Sequence, residues 1–264
     1  MKSTEAIQVK MTDGLAVVTL VQPSRGNPID GEFARDLRNL TTEFRECKEL
    51  RAVLLCAEGA NFSFGGDLKV FNAQLDRLSS LVLNLTADLH VALQRFWALP
   101  VPIVAAVQGY AMGGALSFVA GCDVVIASES VKLGSAFAGI GFSCDSGSSV
   151  TLSARMGTAR ARRFVLLGEV LDGEDALAAG LIDRVVPDDQ LQNEALALAT
   201  TLASGPTAAY GEIKRLFHEA GGTLLEKRME DEARTLGRLA STPDAAEGIA
   251  ALVSRRKPLF QGRD

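Results

Sequence analysis

An α/β core with mainly parallel strands, followed by a wholly helical last quarter, is the fold class that this sequence predicts. Two patterns carry the expectation. Up to about Val186, short apolar runs of strand type alternate with stretches at helical spacing, and that alternation builds parallel sheets covered by helices. From Leu191 onward the spacing is helical only. The chain has 264 residues, 47% of them hydrophobic and 22% charged. That is enough to bury a substantial core and the wrong composition for disorder.

The elements follow in order. Ile7–Lys10 and Leu15–Val21 flank Asp13-Gly14, a two-residue hairpin signal. Phe33, Leu37, Leu40 and Phe44 recur at helical spacing, and the apolar run Ala52–Ala57 reads as a buried strand. Leu78, Leu81, Leu85, Leu89, Leu93 and Phe96 stripe a long helix over about Arg77 to Leu99, which Pro100 and Pro102 end. Pro102–Val107 is a further strand. Gly109 to Gly114 turn into a short helix, Val124–Ala127 is the next strand, and Leu181–Val186 is a late one. Helices over 191–203, 207–220, 224–240 and 244–254 are separated by Gly205-Pro206, Gly221-Gly222 and Thr242-Pro243.

Several function classes are disfavoured. A net charge of −5 leaves no bulk footprint for nucleic-acid phosphates. No run reaches the roughly 20 apolar residues of a membrane span. Met1 to Lys10 has no apolar signal-peptide region, so a cytoplasmic location is expected. The four cysteines form no CxxC pair, and Cys56 and Cys122 sit in apolar runs as buried free thiols. Two histidines, His90 and His218, leave little room for a histidine metal site, and none is expected. The 25 glycines, in contrast, exceed the average usage of roughly 7%.

Two glycine clusters sit at strand-to-helix junctions: Asn61-Phe62-Ser63-Phe64-Gly65-Gly66-Asp67-Leu68-Lys69 and Gly109-Tyr110-Ala111-Met112-Gly113-Gly114-Ala115. Such glycines admit close approach of a ligand to the backbone and leave N–H groups free at a helix start. Each cluster alone is equally a tight turn, and neither fits a nucleotide-phosphate motif. Taken together, with Val101–Gln108 before the second cluster, Cys122-Asp123-Val124-Val125-Ile126-Ala127 after it, Ala176 to Val186 and Arg255-Arg256-Lys257-Pro258, they resemble the crotonase superfamily, the enoyl-CoA hydratase/isomerase family, over nearly the whole chain.

The resemblance implies a ClpP/crotonase-like spiral of β-β-α units over residues 1–203 and a helical C-terminal trimerisation region over 204–264. It implies a homo-oligomer, a trimer or hexamer. The substrate would be an acyl-CoA thioester, with no separate cofactor and no nucleic-acid or membrane partner. The backbone N–H groups of Phe64 and Gly114 would hold the thioester oxygen while an enolate forms, and preorganised donors of this kind stabilise developing charge. Arg25, Gly66, Lys69 and Lys257 are the implied CoA contacts, Lys257 from a neighbouring subunit. Phe71, His90, Phe137 and Phe142 are the implied acyl pocket. Asp67 and Asp123 are read as structural acceptors of backbone N–H groups.

Two departures decide the chemistry. The glutamates that add water in enoyl-CoA hydratases would fall at Ser117 and Phe137, so both carboxylates are missing. One carboxylate remains, Asp145, where ring-epoxyphenylacetyl-CoA isomerases and some enoyl-CoA isomerases resemble this chain in placing a single catalytic aspartate. The competing local reading is an Asp that caps the next helix from a turn with Ser146 and Gly147. The expected activity is double-bond or ring isomerisation with Asp145 as acid and base. The alternatives are a hydratase-like lyase or thioester hydrolase, a non-catalytic acyl-CoA-binding protein and, ranked lower, a 4-halobenzoyl-CoA dehalogenase. The dehalogenases also carry an aspartate there and a histidine in the region of His90.

Overall fold

The computed structural model describes residues 4–221 and 223–261, with the side chains of 218–226, His218 among them, outside the described residues. Strands β1 (Ile7–Thr12) and β2 (Leu15–Leu20) form the expected hairpin. Asp13 and Gly14 both take positive φ, 49° and 81°, as the tight turn requires. Helix α1 (Gly31–Glu46) starts at Asp30, whose carboxylate accepts the Glu32 and Phe33 N–H groups. Next come β3 (Ala52–Ala57), the short α2 (Leu68–Asn72), the long α3 (Leu78–Trp97) and β4 (Ile103–Val107). They are followed by β5 (Tyr110–Met112), α4 (Gly114–Ala120), β6 (Val124–Ser128) and β7 (Lys132–Gly134).

The second half holds α5 (Ser148–Met156), α6 (Thr158–Leu167), β8 (Val170–Leu171), α7 (Gly173–Ala178) and β9 (Arg184–Val186). It closes with α8 (Leu191–Ala203), α9 (Thr207–Gly221), α10 (Thr223–Leu239) and α11 (Pro243–Val253). Two sheets result. Six strands run in the order β1-β2-β3-β4-β6-β9, all parallel after the first hairpin, and three run β5-β7-β8.

The central strands β3 and β4 of the large sheet are buried on both faces, which is why they read as unbroken apolar runs. Val53, Leu55, Ile103, Ala105 and Val125 face a core with α1, α3 and α4, whereas Leu54, Cys56, Val104, Ala106 and Ile126 face Leu191, Ala195 and Ala199 of α8. In the main core Phe118 meets Phe33 and Phe96 edge-on, at centroid distances of 5.7 and 5.1 Å. All four cysteines are free thiols, with Cys56 and Cys122 buried. Asp123 accepts the Ile103 N–H at 2.8 Å and pairs with Lys214 at 2.6 Å, which ties α9 to the sheet.

Two expectations need correction. The segment between Gly109 and Gly114 is not only a turn, because Tyr110–Met112 forms β5. The late strand is confined to Arg184–Val186, and Leu181 and Ile182 pack into the core ahead of it. Among the final helices, α10 packs along α3, and α11 packs on α2 and on the single turn Ala138–Ile140.

Replacing Phe118 by Ala leaves a void beside two aromatic rings and is expected to cost about 3–5 kcal/mol. Denaturant unfolding of the variant beside the wild type measures this.

Candidate active site

The two glycine clusters meet in space. Ser63 pairs with Ala111 in an isolated parallel bridge, with Ser63 donating to the Tyr110 carbonyl at 2.9 Å and Met112 to the Ser63 carbonyl at 3.0 Å. The approach is so close that a Cβ on Gly65 would lie 2.7 Å from the Met112 oxygen and 3.7 Å from the Gly114 nitrogen. Beside this junction lies a cavity lined by residues of both clusters. Its polar wall holds Gly66, Gly114, Asp145 and Ser146. Its apolar wall includes Phe71, Phe137 and Phe142, together with Leu236 of α10 and Leu252 of α11. The helical tail therefore closes the cavity that the core opens.

The expected Phe64 donor is corrected by its hydrogen bond. The Phe64 N–H donates to the Gly26 carbonyl at 3.1 Å, so it has no hydrogen left for a ligand. The Phe64 ring instead covers Gly26 and stacks on Tyr110 at 5.5 Å. Two residues on, the Gly66 N–H has no hydrogen-bond partner among the described residues, and Gly66 lines the cavity, as Phe64 does. Gly114 is the first residue of α4, where an N–H has no partner within the helix. Gly66 and Gly114 thus present two backbone N–H groups on the cavity wall with no partner among the described residues, the second at a helix start where the helix dipole favours negative charge. A Cβ on Gly114 would come within 2.9 Å of Ser146 Oγ.

Asp145 is 7% exposed. His90 Nε2 lies 2.8 Å from its Oδ1, and the Ser146 hydroxyl donates to its Oδ2 at 3.1 Å. With the carboxylate ionised, Nε2 carries the hydrogen of the first contact. His90 was expected in the acyl pocket. It does not line the cavity but stands behind Asp145 on α3. Ser117, at one missing glutamate position, donates to the Asp145 backbone carbonyl at 3.3 Å.

The Asp145 side chain does not cap α5. Glu232 of α10 does so instead, its carboxylate accepting the Gly147 N–H at 2.7 Å and the Ser149 N–H at 3.0 Å. Burial, followed by the nearby Asp145 charge, pushes the Glu232 pKa above its ordinary range, and its hydrogen bonds work against that rise. Sequence reasoning missed Glu232, because nothing in the α10 repeat marks which acidic residue turns inward. Cys144, next to Asp145, stays a thiol: burial, with Glu232 and Asp145 adding, pushes its pKa to about 11.

The expected CoA contacts separate. Arg25, although exposed, is ion-paired within the protein, at 2.8 Å from Asp30 and 3.0 Å from Asp67, with Glu32 at 3.8 Å. Asp30 and Asp67 also cap α1 and α2, so Arg25 fastens two helix starts and is surrounded by carboxylates, an unfavourable place for a phosphate. Asp67 accepts the Lys69 and Val70 N–H groups, the structural role expected of it. Lys69 and Lys257 are exposed.

Fold and cavity together define a class: a spiral α/β protein whose glycine loops offer free backbone donors next to one buried carboxylate. Comparison with known proteins makes this specific. Residues 10–263 match the family model described as enoyl-CoA hydratase/isomerase, and the chain belongs to that family. It is 33% identical over 261 residues to a Rhodobacter capsulatus protein named "Probable enoyl-CoA hydratase", covering 99% of this chain and 100% of that one. It is 32% identical over 263 residues to the 1,2-epoxyphenylacetyl-CoA isomerase of Escherichia coli, covering 98% and 99%. The crystal structure of an enoyl-CoA hydratase from Mycobacterium avium subsp. paratuberculosis superposes with a TM-score of 0.88 at 30% identity, covering 97% and 98%. The crotonase fold is thereby established, and the chain is an acyl-CoA enzyme of this family.

The raised pKa of Glu232 sets a sign for stability against pH. Its contribution is full at acid pH and falls as pH rises above the ordinary glutamate range, since deprotonation is harder in the folded chain than in the unfolded one. Glu232→Gln removes that loss together with one backbone acceptor. The variant is expected to be less stable than wild type at pH 4, with the gap narrowing towards pH 7, as read by denaturant unfolding at both values.

Proposed function

We propose that this protein is an acyl-CoA isomerase that moves one proton on the substrate, with Asp145 as both base and acid. The observation that carries this reading is that Asp145 is the one carboxylate lining the cavity among the described residues. The thioester oxygen sits on the Gly66 and Gly114 N–H groups. The Asp145 carboxylate takes a proton from a carbon next to the double bond, and the electron pair moves into the thioester to form an enolate on that oxygen. The protonated Asp145 then returns the proton at the other end of the conjugated system. His90 and Ser146 hold the carboxylate in one orientation, each occupying one oxygen. Hydration would need a second acid or base, and Ser117 and Phe137 supply none. The aromatic wall of Phe71, Phe137 and Phe142 suits a ring-containing acyl group, in keeping with the name of the Escherichia coli relative.

A second reading rests on the buried His90–Asp145 contact at 2.8 Å. Asp145 attacks an aryl-CoA ring carbon and expels halide, and water activated by His90 hydrolyses the resulting aryl ester. The thioester is substrate in either case, with no cofactor, and we place the protein in the cytoplasm. Assembly into a trimer or hexamer is supported by the exposed apolar stripe Ile213, Leu216 and Phe217 on α9 and is tested by light scattering.

Incubation with a 3-enoyl-CoA should yield the 2-enoyl-CoA, and Asp145→Asn should lower the rate by about 10²–10⁴-fold. Full activity in that variant overturns the assignment of the base. The second reading instead requires chloride release from 4-chlorobenzoyl-CoA and, in His90→Gln, an aryl adduct on Asp145 seen by mass spectrometry. Tight binding of acyl-CoA with turnover of neither substrate identifies a binding protein.

A further inference from the structure

Glu232 of α10 is 6% exposed, and both of its carboxylate oxygens are spent on one turn, accepting the Gly147 and Ser149 N–H groups at the start of α5. Burying a carboxylate is costly, and burial is the main cause of its raised pKa. Capping alone does not call for that cost. The turn itself, Asp145-Ser146-Gly147-Ser148-Ser149, is rich in the short polar residues that cap helices locally.

What the distant carboxylate displaces is local. Asp145 stands two residues before Gly147, the spacing at which an aspartate accepts the N–H ahead of it in an Asx turn. Glu232 holds that N–H at 2.7 Å instead. The Asp145 carboxylate then meets His90 of α3 at 2.8 Å and the Ser146 hydroxyl at 3.1 Å, and it lines the cavity. Ser117 of α4 bonds the Asp145 carbonyl and not its carboxylate. Ser146 and Gly147 both take positive φ, 59° and 77°, a strained turn for the serine that outside contacts have to hold. Glu232 does not line the cavity, so its effect on a bound substrate passes through Asp145.

We propose that Glu232 is a positioning residue. By occupying the Gly147 and Ser149 N–H groups it keeps Asp145 from folding back onto its own turn and holds the carboxylate towards His90 and the cavity. This rests on the reading that Asp145 is the acid and base of the reaction. The placement of Asp145, however, is measurable without turnover, through its contact with His90.

Two variants test it at neutral pH. Glu232→Ala frees both N–H groups, and Glu232→Gln keeps one acceptor oxygen. With a 3-enoyl-CoA, kcat should fall about 10²-fold in the first and about ten-fold in the second, the effect of a misplaced catalytic group. KM should stay at the wild-type value in both. Asp172→Ala removes the cap of α7, which does not line the cavity, and should leave both constants unchanged. It controls for the loss of a helix cap as such. In histidine-labelled protein, the ring nitrogen resonances of His90, identified by their absence in His90→Gln, report the contact with Asp145. They should shift in both Glu232 variants and not in Asp172→Ala. The proposal is overturned by an unchanged kcat in Glu232→Ala, by a loss carried by KM instead, or by His90 resonances that stay in place. If Glu232→Ala does not fold, Glu232→Gln is read against the same three outcomes. A wild type that does not isomerise 3-enoyl-CoA removes the isomerase reading, and the His90 resonances then decide alone whether Glu232 positions Asp145.

Discussion

A carboxylate as buried as Asp145 has to have its oxygens met by donors, and the way this is achieved organises the rest of the site. The turn Asp145-Ser146-Gly147 leads into α5, and an aspartate there would ordinarily cap the helix. Glu232 of α10 occupies the free N–H groups of Gly147 and Ser149 in its place. Released from capping, the Asp145 side chain turns to the cavity, with His90 on one oxygen and Ser146 on the other. Ser146 takes a positive φ of 59° to do so, strain of the kind that is retained where surrounding contacts fix it. Three segments far apart in the chain, α3, the α5 turn and α10, are thus committed to one side chain.

One wall of the cavity is built from main chain. Its donors are set by which amide is already taken: Gly26 claims the Phe64 N–H and leaves that of Gly66 free. The short bridge at Ser63 and Ala111 brings the two glycine loops into contact. Arg25 steadies the same region from outside by joining the Asp30 and Asp67 caps. Side chains at this end can vary without loss of the donors, and here Phe64 stacks on Tyr110 at the surface. The opposite wall of the cavity carries the aromatic rings of Phe137 and Phe142.

The long apolar elements were legible from sequence because burial on both faces gives a strand an uninterrupted apolar signature. Ala52–Ala57 matches its strand residue for residue, and the spacing Phe33, Leu37, Leu40, Phe44 marks the buried face of α1. Strands β5, β7 and β8, of three, three and two residues, are too short to show a period. They exist because neighbouring turns of the spiral offer them partners.

The site divides along the same line. Sequence alone determined the family, the loss of two carboxylates at Ser117 and Phe137, and the survival of Asp145, because these are statements about which side chains are present. Only the tertiary structure decided that Gly66 and not Phe64 has a free N–H, that Arg25 is neutralised by carboxylates, and that His90 and Glu232 serve Asp145. Each of those facts is a contact between residues distant in the chain, and an interaction within hydrogen-bond range is fixed by the packing of whole elements, which no local pattern records.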